Sequence, residues 1–119
     1  MSVTFPFQLS PAPPPISPEY QLVIFADVGG LEEYYVLFQD YGFGGTADSW
    51  VEHIETIIEE HQPALLDELE FGEGGQTFVV YASSPDIADQ FLATVLPFFG
   101  TLPLLQKYLS QADPDDFFA

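Results

Sequence analysis

The sequence predicts an α+β domain. An antiparallel sheet of about five strands should carry helices over about 49–61, 84–99 and 101–112. Three observations predict this. First, Trp50, Ile54, Ile57 and Ile58 recur at i, i+4, i+7 and i+8, which is one face of a helix. Second, residues 20–26, 33–39 and 76–82 are short runs rich in Val, Ile, Phe and Tyr, bounded by glycine clusters, as strands are. Third, 119 residues that are 47% hydrophobic, with twelve Phe, suffice for one buried core and one domain.

Taken in order, residues 3–9 alternate Val3, Phe5, Phe7 and Leu9 on one side, a strand period that Pro6 confines to a sheet edge. Residues 10–18 hold five prolines and read as an extended proline-rich loop. Without a flanking Arg they make a poor ligand for an SH3-like domain. Residues 20–26 and 33–39 read as an antiparallel hairpin turning at Gly29-Gly30, the first strand apolar on both faces. Gly42, Gly44 and Gly45 mark a structural turn before the helix at 49–61. Ser49 followed by Glu52 has capping-box spacing. Trp50, the chain's one tryptophan, should be buried just behind that cap. Pro63 should re-aim the chain, with a helical turn through Leu65 and Leu66. Residues 69–72 and 76–82 read as a second hairpin around Glu73-Gly74-Gly75. Ser84-Pro85 and Thr101 with Pro103 open the last two helices, Pro being suited to a first helical turn. The segment 113–119 reads as a frayed tail.

Charge bounds function more than any motif does. Nineteen Asp and Glu face one lysine, Lys107, and no arginine, a formal net charge of −18. Such a surface repels phosphate backbones and anionic lipid, so direct binding to nucleic acid or membrane is not expected. There is no apolar run long enough to span a bilayer and no basic leader, which fits a cytoplasmic location. The chain has no cysteine, hence no disulfide or thiol chemistry.

No catalytic, cofactor or metal site is expected. The glycine run at 42–45 precedes a helix N-terminus but lacks the lysine of a phosphate loop, and acidic side chains already occupy that end. His53 and His61, eight apart, are too distant to act as the i, i+4 ligand pair of a zinc helix and read as half-exposed surface residues. The acidic stretches 67–75 and 113–116 lack the ligand alternation of a calcium loop. No carboxylate pair stands out as a hydrolytic dyad, and with no Arg or Cys there is little from which to build an oxyanion clamp.

What remains is a binding surface. Glu52, Glu55, Glu59 and Glu60 occupy much of the helix face away from Trp50, and Asp67, Glu68 and Glu70 follow. These seven are the candidate contacts for a basic protein partner.

Phe5-Pro6-Phe7, Tyr20-Gln21-Leu22-Val23, the turn Tyr41 to Gly45 leading to Ser49-Trp50, Leu69-Glu70-Phe71 and Phe78 to Ser83 occur in one order. That order resembles the immunity protein 51 family of bacterial polymorphic toxin systems, over roughly residues 5 to 110. The resemblance implies a small cytoplasmic α+β protein that neutralises a toxin encoded beside it. It carries over no toxin-contacting residue, because the shared pieces are structural. The family's Asn at the turn is missing, and the spacing before Trp50 differs. Two other readings fit the acidity. One is a phage-type nucleic-acid mimic that blocks a DNA- or RNA-binding protein. The other is an acidic structural subunit of a larger assembly, whose apolar surface, including the Phe98-Phe99 and Phe117-Phe118 pairs, its own copies cover. The oligomeric state stays open.

Overall fold

Trp50 sits at the centre of the molecule, fully buried. The computed structural model describes residues 7–11, 20–72 and 76–112. The described strands are β1 (Gln8–Pro11), β2 (Leu22–Asp27), β3 (Leu69–Phe71) and β4 (Thr77–Ala82); the helices are α1 (Glu32–Asp40), α2 (Ala47–His61), α3 (Pro85–Phe99) and α4 (Leu102–Gln111). Short 3-10 turns at Val28–Gly30 and Pro63–Glu68 connect them. The strands form one antiparallel sheet in the order β1-β2-β4-β3.

The α+β class is as the sequence predicts, with four described strands rather than five. Residues 33–39 are the difference: they lie in helix α1, not in a strand. Tyr34-Tyr35-Val36 carry high β propensity, but the burial pattern settles the matter. Tyr34 and Phe38, four apart, are buried, and Leu31, Leu37 and Tyr41 pack beside them, which is a helical spacing. Glu32 and Glu33 in the first turn complement the helix dipole. A strand would have sent Tyr34 and Phe38 to one face with Val36 between them, yet Val36 is 54% exposed. The hairpin expected over 20–39 is therefore absent, and β2 pairs with β1 and β4 instead.

β1 lies at a sheet edge as expected but spans Gln8–Pro11, so Ser10 and Pro11 belong to it rather than to the proline-rich loop. Of the rest of the expected first strand, residues 3–6 lie outside the described residues, as do 12–18 of the proline-rich loop, the hairpin turn at 73–75 and the tail at 113–119.

Alternation along the strands sets the two sheet faces. Ile24 and Ala26 of β2, Phe78, Val80 and Ala82 of β4 and Leu69 of β3 are buried beneath the helices. Val23, Phe25, Val79 and Tyr81 point the other way and are half-buried. Around Trp50 the rings converge from every layer: Tyr34 stacks at 5.6 Å, Phe38 at 6.3 Å, Phe99 meets it edge-on at 5.1 Å, and Phe7 at 5.9 Å. The Tyr34 hydroxyl donates to the Phe99 carbonyl at 2.7 Å, tying α1 to α3. α3 continues through Pro97 to Phe99, although Pro97 has no amide hydrogen to donate to the Ala93 carbonyl.

Candidate partner-binding surface

The acidic candidates depend on where α2 begins. Gly42 and Gly45 adopt φ of 87° and 75°, the left-handed region that favours glycine. A β-carbon at Gly45 would meet Tyr35 Cδ2 at 3.0 Å and Phe38 Cβ at 3.2 Å, so α1 and the turn close on each other here. Gly44 lies outside that backbone region; its carbonyl accepts from Gln39 Nε2 at 2.8 Å. Thr46, extended at ψ 174°, is the N-cap, its Oγ1 accepting from the Ser49 amide at 3.4 Å. Ser49 Oγ in turn accepts from the Gly45 amide at 3.1 Å. The cap thus falls three residues before Ser49, the cap expected from sequence, and Ser49 takes the place expected for Glu52.

Starting at Ala47 aligns four carboxylates. At about 100° per residue, Asp48, Glu52, Glu55 and Glu59 fall within about 60° of one another, a stripe about 16 Å long. Glu52 is half-buried; Asp48, Glu55 and Glu59 are exposed. Partial burial pushes the Glu55 carboxyl above its ordinary value, and the charges of Glu52 and Glu59 push it further. Glu60 turns away from this stripe, toward the Tyr108 phenol, whose pKa burial raises and the Glu60 charge raises further.

The other candidates separate. Asp67 and Glu68 are exposed on the 3-10 turn after α2, and Glu68 accepts from Ser83 Oγ at 2.6 Å. Glu70 points to the sheet's other face, opposite Tyr81, because its neighbour Leu69 is buried beneath the helices. The structure therefore brings Glu52, Glu55 and Glu59 together, and not all seven.

Sequence reasoning missed Asp48 as part of the row, although its i−4 spacing to Glu52 was visible. It also misplaced His53. His53 is fully buried, its Nδ1 2.7 Å from the Tyr108 hydroxyl and its ring edge-on to Phe43 at 4.6 Å. The signal was again spacing: His53 follows Trp50 by three on the apolar face. Burial lowers its pKa from 6.5 to about 4. His61, by contrast, is exposed and lies against Phe98.

No family model, curated protein or solved structure matches the chain. Among the described residues, no three His, Asp or Glu side chains are grouped to hold a metal ion, and no single helix is long and apolar enough to cross a membrane.

Proposed function

We propose that this chain is a binding protein that neutralises a basic partner, a bacterial toxin encoded beside it, by covering that partner's cleft with an acidic surface centred on α2. The activity is occlusion in the cytoplasm, with no reaction of its own. The observation that carries this reading is the stripe Asp48, Glu52, Glu55 and Glu59. Like charges at i, i+3 and i, i+4 each cost a helix a few tenths of a kcal/mol, and the helix dipole offsets this only at Asp48, in the first turn. Solubility needs acidic residues but not their alignment. An aligned row creates a local field that steers a cationic partner and speeds encounter. Toxins that cut nucleic acid suit this field, since they need a basic cleft for a polyanionic substrate.

The same row supports a second reading, a nucleic-acid mimic that occupies the groove of a DNA- or RNA-binding protein. The two readings part on the identity of the partner: a toxin from the adjacent gene, or a host nucleic-acid-binding protein.

The test is surface plasmon resonance between the toxin from the adjacent gene and the full chain at two ionic strengths. Asp48→Asn, Glu55→Gln and Glu59→Gln together should slow association at least several-fold and flatten its salt dependence. An unchanged association rate and salt slope would overturn the proposed site. Absence of binding by the unmodified chain would overturn the toxin reading.

A further inference from the structure

A second surface, on α1, carries features the α2 stripe lacks. A cleft of about 640 Å³ opens between the first turn of α1 and the corner joining α3 to α4, lined by Leu31, Glu32, Glu33, Tyr34, Leu102 and Pro103. A smaller cleft of about 310 Å³ lies on the other side of the same turn, between Glu32, Tyr35, the Thr46 cap and Gln76. Glu32 is thus a ridge between two hollows.

The helix dipole accounts for acidic residues in a first turn. It accounts neither for the hollows nor for the apolar side chains beside them. Leu31, Leu102 and Pro103 give the larger cleft an apolar lining, and Tyr35, 45% exposed, lines the smaller one. Apolar exposure around a cleft, rimmed by charge, is the composition of a docking surface rather than of plain solvated surface. The larger cleft also falls in the size range of built ligand pockets.

Charge selects the occupant. The floor and walls offered by Leu31, Leu102 and Pro103 suit an aliphatic stem, and the exposed carboxylates of Glu32 and Glu33 suit a cationic head. A second copy of this chain brings a formal charge of −18 and only one lysine, so it fits poorly. We propose that the α1 face is a docking surface for a basic protein, and that an arginine or lysine side chain of that protein enters the cleft between α1 and the α3–α4 corner. This rests on the partner being basic, as in the function proposed above, but it places a specific anchor away from the α2 stripe. Long-range attraction by the stripe and short-range anchoring in the cleft are separable roles.

The test needs no identified partner. The ¹⁵N-labelled full chain is titrated, at physiological salt, with an acetylated and amidated Gly-Arg-Gly tripeptide, and with the norleucine analogue as uncharged control. The expected result is saturable shift changes at the amides of Gly30, Leu31, Thr101 and Leu102, absent with norleucine. Glu32→Gln with Glu33→Gln should weaken this binding at least threefold, while Asp48→Asn, Glu55→Gln and Glu59→Gln leave it unchanged. The position of the shifts in the unmodified chain decides the matter even if a variant folds poorly. Unsaturable shifts spread over all acidic segments overturn the inference. So does equal binding of the norleucine peptide, or concentration-dependent self-association that hides these amides. Shifts confined to the α2 stripe overturn this inference and leave the proposed function standing. Binding in the cleft together with unchanged toxin association in the stripe variant leaves this inference standing and overturns the stripe as the binding site.

Discussion

His53 offers a sharp test of the packing, because its titration is tied to burial. The imidazole is enclosed by Phe38, Phe43 and Tyr108, and its pKa falls from 6.5 to about 4 because the cation cannot be solvated there. Between those values the unfolded chain holds a proton on His53 and the folded chain does not. Stability therefore falls as pH falls through that window. One tenfold difference in proton affinity is about 1.4 kcal/mol. The loss attributable to His53 should thus be about 2 kcal/mol between pH 7 and pH 5, approaching about 3 kcal/mol well below pH 4. Glu55 acts in the opposite direction. Its raised pKa means the folded state keeps a proton longer, so its contribution is present in acid and lost as pH rises through its folded value. Comparison with His53→Leu separates the two, since both proteins share the carboxylates. Urea unfolding of each, followed by Trp50 fluorescence at pH 7, 6 and 5, gives the difference. At pH 7 His53→Leu is destabilised relative to the unmodified chain by the lost Tyr108 contact. That cost should shrink by about 2 kcal/mol by pH 5. If the two stability profiles run parallel, His53 is not buried as described and the reasoning fails.

Trp50→Ala should cost about 3–5 kcal/mol in the same unfolding assay, the range for a large core aromatic; an emission maximum typical of exposed indole in the native chain would contradict the burial. Gly45→Ala should destabilise by about 1–2 kcal/mol, because its φ of 75° is strained for any β-carbon and Tyr35 and Phe38 crowd the site. Gly29→Ala should cost less, since the atom it meets is the flexible end of Gln76; equal thermal shifts for the two would refute the distinction. Replacing Glu55 and Glu59 by Gln should raise stability by about 0.5 kcal/mol at low salt, with the gain shrinking as salt screens the row, whereas Asp48→Asn should forfeit a comparable amount because Asp48 lies in the first turn of α2, at the positive end of its dipole; a loss of stability from the two Glu changes would show that these carboxylates are engaged within the fold.

Much of this molecule is written in local pattern. Spacing placed the apolar face of α2. Ser84 and Thr101 cap α3 and α4 where the sequence put them, accepting from the amides of Ile87 and Leu104. The β3–β4 pairing follows from two apolar runs that lie close together in sequence. These features rest on interactions a few residues long, which a sequence shows directly. The failures share a different cause. Residues 32–40 favour strand by composition, and became a helix because Tyr34 and Phe38 have Trp50 and Phe99 to pack against. His53 reads as polar, and is core because α4 brings the Tyr108 hydroxyl to it across 55 positions of sequence. The helix cap moved to Thr46 because Gly45 had to sit beneath α1. The acidic character was plain from composition, but its division into an α2 stripe, a Glu70 on the far sheet face and a Glu32 ridge between two clefts was not. Local hydrogen bonds and periodicity fix what a segment can become. Which surface it presents is decided by the neighbours that cover the other side, and those neighbours come from distant parts of the chain.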